Sequence, residues 1–272
     1  MDFIEHDLKT LSSSMHEPFL PSETKTLLLQ LVSATQLMHT NWILHRDLKT
    51  SNLLMNNRGQ IKVADFGLAR FTSDPAPKNL TQLVVTLWYR APELLLGARE
   101  YGPEVDMWSI GCIFAELLTK DPILKGATEV DQISKIFTLL GVPTEASWPG
   151  YRRLPHAKSL TFPRTPATTS SRLRSKFPVL TNMGFDLLSR LLCLDPARRI
   201  TAEEVLRHEY FKEEPRPKRE EMFPTFPSKA GGEKRRRRDT PEAPRGGEGE
   251  AQFLVGAQEE EVGGGFMLKL GR

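Results

Sequence analysis

His45-Arg46-Asp47-Leu48-Lys49-Thr50-Ser51-Asn52 joins a long helical pattern to a pair of short strand patterns. Thirteen residues past its Asn, directly after the second strand, stands Asp65-Phe66-Gly67, and further on come Ala91-Pro92-Glu93 and then Asp106 and Trp108 in an apolar run. Each fragment alone says little. A lone Asp-Phe-Gly is commonly a turn, a lone His-Arg-Asp a surface triplet, and one Asp on a buried helix a hydrogen bonder at a helix end. Four such fragments in this order, with these elements between them, form a specific signal.

The flanking elements follow from periodicity. Residues 22–39 place Leu27, Leu31, Ala34 and Met38 on one helical face, with Pro21-Ser22 as the start signal. Leu53–Met55 and Ile61–Ala64, separated by Asn56-Asn57-Arg58-Gly59, predict a small hairpin. Residues 104–118 carry Met107, Ile110, Ile113, Phe114, Leu117 and Leu118 and are apolar on nearly all sides, which predicts a buried central helix. Two amphipathic helices are expected over 129–140 and 183–194 and a short final one over 201–208. The stretch 152–178, rich in Pro, Ser, Thr and Arg, reads as a long irregular insertion. Near residue 213 the composition changes to Pro-rich stretches, the basic run 234–238, Gly pairs and the acidic triplet 259–261. Such a segment buries too little apolar surface to offset its ordering entropy, so about residues 213–265 are expected to be mostly disordered. The closing apolar patch Phe266-Met267-Leu268 could dock on the folded part or on a partner. The fold class expected is mainly α with a small β hairpin and a disordered tail.

Composition excludes several alternatives. A chain of 272 residues fits one to two domains. Lys and Arg number 37 against 34 Asp and Glu, and the net +3 is too small to imply nucleic-acid binding by itself. Two cysteines cannot make a disulfide framework, and no Cys/His cluster has zinc-ligand spacing. Cys112 and Cys193 sit among apolar residues and read as buried, reduced thiols. No apolar run reaches the roughly 18 residues a membrane span needs. The opening MDFIEHDLK lacks the basic and apolar regions of a signal peptide, so a reducing compartment, cytoplasm or nucleus, is expected.

The residue types match the demands of phosphoryl transfer. Two hard cations must be held against ATP phosphates, and oxygen ligands suit Mg²⁺; Asn52 and Asp65 supply them. Asp47 is spaced to accept the proton of an attacking hydroxyl. Lys49, two residues on, can neutralise charge on the transferred group.

At these residues the chain resembles the eukaryotic protein kinases, and more narrowly the cyclin-dependent kinases of the PITSLRE type. The segment Val84-Val85-Thr86-Leu87-Trp88-Tyr89-Arg90-Ala91-Pro92-Glu93 is similar to that group's activation-segment end. Finer matches lie at Met1–Lys9, Asn41–Leu54, His208–Phe211 and Gly265–Leu270. The resemblance implies a kinase C-terminal lobe from a parent α+β fold: a hinge remnant over 1–8, the lobe over 9–212, and the tail over 213–272. It implies an ATP- and Mg²⁺-dependent, proline-directed Ser/Thr kinase acting on Ser/Thr-Pro proteins, partnered by a cyclin, with no membrane and no direct nucleic-acid contact. A nuclear location, extending to the cytoplasm, and a role in cell-cycle, transcription or RNA-processing control come with it.

Residue by residue, the resemblance makes Asp47 the base, has Lys49 and Thr86 orient phosphate and base, and has Asn52 and Asp65 hold Mg²⁺. Thr81 falls at the activating phosphothreonine, where Arg46 and Arg70 would pair with the phosphate; the alternative is a solvated loop hydroxyl. Val84 and Val85 would accept the substrate proline. Asp2 and Ile4 correspond to the adenine-binding hinge, and Leu54 and Ala64 to the pocket floor, a role compatible with plain core packing. Glu93 and Arg199 would make a buried ion pair, Asp106 would brace the catalytic loop, and His45 is structural rather than an acid–base or metal residue. The run 234–238 is either a solvated charge tract or a nuclear-import signal.

No G-x-G-x-x-G and no V-A-I-K lysine strand occur in these 272 residues. The chain is therefore expected to begin at the hinge without the β-rich N-lobe and to have little activity alone. The competing expectation is an inactive fragment that binds or competes as a regulator.

Overall fold

The computed structural model describes residues 4–72, 87–158 and 169–226, all within a unit that spans Met1–Gly232; a second unit, Glu233–Arg272, lies outside the described residues. Strand β1 (His6–Asp7) leads directly into α1 (Leu8–Ser14). Asp7 caps that helix, its carboxylate accepting the Thr10 N–H at 2.7 Å. Helix α2 (Pro21–Thr40) starts with Pro at its first position, and Glu23 reaches back to accept the Leu20 N–H at 3.0 Å. It buries Leu27, Leu28, Leu31, Val32 and Met38, and Ala34 sits half-buried at the stripe's edge.

Three short strands follow: β2 (Ile43–Leu44), β3 (Leu53–Met55) and β4 (Ile61–Val63). β3 and β4 form the expected hairpin in the register Leu53↔Val63, Leu54↔Lys62, Met55↔Ile61. β1 pairs antiparallel on the other side of β3 through His6↔Met55 and Asp7↔Leu54, which makes the sheet three-stranded. β5 (Arg70–Phe71) pairs with β2 in a separate ladder. The strands that the hydrophobic pattern did not show, β1, β2 and β5, are two residues long, too short for any alternation to register.

Beyond them lie α3 (Pro92–Leu95), α4 (Glu104–Thr119), α5 (Glu129–Leu140), α6 (Thr169–Lys176), α7 (Asn182–Leu191) and α8 (Ala202–Leu206). α4 is buried along almost its whole length, with Val105, Met107, Trp108, Ile110, Ile113 and Phe114 each at most 2% exposed. Burying six large apolar side chains is worth about 1.5–3 kcal/mol apiece against an extended chain, so this helix anchors the core. Gly111 lets α7 approach it: a Cβ there would stand 2.8 Å from a Leu192 methyl carbon and 3.0 Å from Leu191 Cβ. α5, α7 and α8 are capped by Thr128, Thr181 and Thr201, whose side chains accept the N–H groups of Asp131, Gly184 and Glu204.

Two expectations need correction. The 152–178 stretch is not wholly irregular: it carries short 3₁₀ turns at Tyr151–Arg153 and Pro155–Lys158 and the helix α6, which plants Leu173 and Phe177 in the core. Among its described residues only those two apolar side chains are fully buried, four apart, too few for a periodic signal. The tail does not lose order at 213 either. Residues 213–226 lie against α2 and the hairpin, with Lys218 N–H donating to the Ser22 carbonyl at 3.1 Å and Phe223 buried. Their anchors are scattered among charged residues and Pro, so composition alone hides them. The basic run 234–238 and the closing apolar patch lie outside the described residues. Cys112 is buried and its thiol pushed far up by desolvation; Cys193 is half-buried rather than buried, its thiol also raised by desolvation, and both are free. No described helix is long and apolar enough to cross a membrane.

Candidate active site

The loop between β2 and β3 is held at several points, and its charged side chains are the result. Asp106, fully buried in the first turn of α4, accepts the backbone N–H of His45 on Oδ2 at 3.0 Å and that of Arg46 on Oδ1 at 2.8 Å. The same Oδ2 meets His39 Nε2 at 3.0 Å. These bonds hold Arg46 at φ 66°, a left-handed conformation costly for a side-chain-bearing residue and maintained by its surroundings. His45, wholly buried, accepts the Asp47 N–H on Nδ1 at 3.3 Å, so its proton sits on Nε2, which donates to the Ala64 carbonyl at 3.2 Å. Phe66 packs edge-on against its ring at 5.0 Å. His45 thus ties the 45–52 string to the residue before Asp-Phe-Gly, and among the described residues it joins no metal-ligating cluster.

Asp47 emerges from this clamp with its carboxylate between two donors. Lys49 Nζ donates to Oδ2 at 2.7 Å, and Asn52 Nδ2 donates to the same oxygen at 3.2 Å and to the Asp47 carbonyl at 2.9 Å. The Asn52 amide nitrogen is committed inward, which leaves Oδ1 as its ligand atom. The Asn52 carbonyl accepts the Ala64 N–H at 2.9 Å, extending the hairpin by one pair and placing Asp65 next in line. Asp65, at φ 66°, is exposed and accepts the Gly67 N–H at 3.3 Å. Among the described residues no three His, Cys, Asp or Glu side chains group to hold a metal. An amide oxygen and a carboxylate are the hard, oxygen-only donors that suit Mg²⁺, so the residues present fit that ion.

Behind the loop lies a buried polar knot that the sequence reading missed. Glu116 accepts the Thr50 hydroxyl on Oε1 at 3.0 Å and the Tyr89 hydroxyl on Oε2 at 2.5 Å. Desolvation raises the Glu116 carboxyl above its usual range, and Tyr89 is raised by burial and the neighbouring carboxylate. Thr50 belongs to the 45–52 string and Tyr89 to the Trp-Tyr-Arg string, so their proximity to the motifs was the available signal. Tyr101 was missed as well: its hydroxyl accepts from Arg46 Nη1 at 2.6 Å, with the guanidinium 5.8 Å from its ring.

The remaining expected residues are distributed as follows. Glu93 and Arg199 form a bidentate pair at 2.6 and 2.9 Å, with Arg199 donating also to the Glu104 and Cys193 carbonyls and lying 5.2 Å from the Trp108 ring centroid. Arg70 pairs with Leu44 across β5 and β2, two residues before Arg46. Leu54 is half-buried on the sheet face opposite the core-facing Leu53 and Met55, and by register Asn52 and Ala64 share that face. Ile4 is half-buried beside β1. Asp2, Thr81, Val84, Val85 and Thr86 lie outside the described residues.

Comparison with known proteins agrees with this geometry. The family model described as "Protein kinase domain" matches residues 1–211. Serine/threonine-protein kinase ppk23 of Schizosaccharomyces pombe is 61% identical over 233 residues, 86% of this chain and 58% of that protein. Cyclin-dependent kinase 11B of Mus musculus is 53% identical over 254 residues, 93% of this chain and 32% of its own, and cyclin-dependent kinase G-1 of Oryza sativa subsp. indica is 52% identical over 236 residues, 84% and 33%. The chain thus spans between about a third and three fifths of the length of these relatives. Among solved structures, the CAK complex from Chaetomium thermophilum bound to ATP-gamma-S aligns with a TM-score of 0.76 at 40% identity, covering 83% of this chain and 70% of that one. The inactive-regulator expectation finds no support among these relatives, each named as a kinase. With its loop clamped on α4 and its relatives among the PITSLRE-type cyclin-dependent kinases, the chain belongs to the protein kinase family.

Proposed function

We propose that this chain carries the catalytic loop of a cyclin-dependent, proline-directed protein kinase that moves the ATP γ-phosphoryl group onto Ser or Thr. The observation that carries the reading is the Asp47 carboxylate held by Lys49 at 2.7 Å and Asn52 at 3.2 Å. A substrate hydroxyl at that carboxylate gives it its proton as the oxygen bonds to phosphorus and the bond to ADP breaks. Lys49 is placed to offset charge on the transferring group, and the buried Asp106 keeps the loop from relaxing as charge develops. Asn52 and Asp65 would hold Mg²⁺, which when bound neutralises phosphate charge. Leu54 and Ala64, with Asp2 and Ile4, would take the adenine.

The finer assignments continue the same reading. Thr81 would carry an activating phosphate received by Arg46 and Arg70, Val84 and Val85 would admit proline, and Thr86 would orient the base. The names of the relatives support a cyclin partner, and the nucleotide of the solved neighbour supports ATP. A nuclear location belongs to the same proposal.

The test is Asp47→Asn in the active kinase, assayed with Mg-ATP and a Ser-Pro peptide. Transfer should fall by roughly 10²–10⁴-fold while the melting temperature stays unchanged. Retained turnover would remove Asp47 as the base.

A further inference from the structure

Residues 213–226 run from the first turns of α2 to the hairpin turn and end beside β1. Lys25, wholly buried, donates from Nζ to the Glu213 carbonyl at 2.9 Å, and the Thr26 hydroxyl donates to the Lys218 carbonyl at 2.6 Å. Lys218 Nζ donates to Glu23 Oε1 at 2.8 Å. From these polar anchors the strap reaches the turn at Asn56–Gly59. A Cβ on Gly59 would stand 2.6 Å from the Glu220 carbonyl oxygen and 2.9 Å from the Phe223 ring, so the turn and the strap are in direct contact. The Phe226 N–H then donates to Asn57 Oδ1 at 3.0 Å, and its ring meets His6 of β1 edge-on at 6.1 Å. His6 Nε2 is buried with no hydrogen-bond partner among the described residues.

The sheet under this strap has strands of two and three residues, too short to be stable by themselves. Gln30 holds the hairpin from the α2 side, donating to the Gly59 carbonyl at 2.9 Å and accepting the Ile61 N–H at 2.8 Å. The strap meets both the turn and β1, through Asn57, Gly59 and His6. By register His6 shares the Met55 side of the sheet, and the opposite face carries Asn52, Leu54 and Ala64. We propose that the strap is a positioning element of the nucleotide site, with Phe223 on the hairpin turn and Phe226 on His6 setting where that face stands. The proposal rests on the kinase reading and deepens it.

The experiment compares wild type, Phe226→Ala and Phe226→Tyr in the active kinase, with deuterium exchange on the 272-residue chain alongside. Phe226→Ala should raise KM for Mg-ATP roughly three- to tenfold with kcat within about twofold, and Phe226→Tyr should restore it. Exchange should quicken at residues 5–8 and 53–63 and stay unchanged across 104–119. Unaltered KM and exchange overturn the proposal, and so does a matched loss of kcat with faster exchange throughout, which marks general damage. If instead Asp47→Asn keeps full turnover, it is the kinase reading that fails, and the exchange result still decides the strap.

Discussion

Asp47 and Glu116 are two carboxylates in opposite circumstances. Asp47 is half-buried with two polar side chains, Lys49 and Asn52, as donors, whereas Glu116 is 4% exposed and serves two hydroxyls. Burial is the largest influence on Glu116 and raises it above the ordinary 4.5. The folded protein therefore keeps this proton at a pH where the unfolded chain has released it, so ionisation here costs stability. The cost begins as pH rises past 4.5 and is complete above the folded value. Urea unfolding should show that Glu116→Gln gains stability relative to wild type as pH rises from 4.5 to 7. A difference that does not change with pH would contradict this. The Glu93–Arg199 pair behaves differently, because both charges are buried and every Arg199 nitrogen is used. Glu93→Gln strands the guanidinium and should cost about 3–5 kcal/mol in the same measurement.

At the scale of elements, α4 shows how closely the core is fitted. Gly111→Ala places a methyl group 2.8 Å from a Leu192 carbon, with Leu191 Cβ at 3.0 Å behind it. Overpacking of this kind costs about 1–3 kcal/mol, read as a lowered urea midpoint with an unchanged slope. An unchanged midpoint would mean that α7 moves aside freely. α4 is also where sequence reading succeeded most fully, because a pattern over 104–118 that is apolar on nearly all sides has few competing interpretations. α5 was legible to the residue, being flanked by the Thr128 cap and Gly141. The cluster of Asp47, Lys49 and Asn52 was legible because its members lie at short spacings along one loop. Partners from far along the chain were legible only where the resemblance supplied them, as for Asp106 and the Glu93–Arg199 pair. Glu116 lies 66 residues from Thr50, and Tyr101 lies 55 from Arg46, and no local pattern links such distances.

For the whole molecule, residues 213–226 are part of the folded unit and not an appendage. Ending the chain at Lys212 removes the buried Phe223 ring and the partner of Lys25, an ammonium 1% exposed whose pKa burial already lowers. The loss should reach about 3–5 kcal/mol in unfolding free energy, the scale of emptying a buried aromatic site. A truncated chain with wild-type stability would mean that the strap rests on the lobe without supporting it. α4 imposes a further condition on the molecule. Asp106 near its start grips the loop at His45 and Arg46, and Glu116 near its end grips the same loop at Thr50. Ten residues of helix separate the two grips, about 15 Å of rise, so the loop at 45–52 is strung across a rod of fixed length like a bowstring on its stave. One residue inserted between Asp106 and Glu116 would swing the far end by about 100° and slacken the string, displacing Asp47 without touching it.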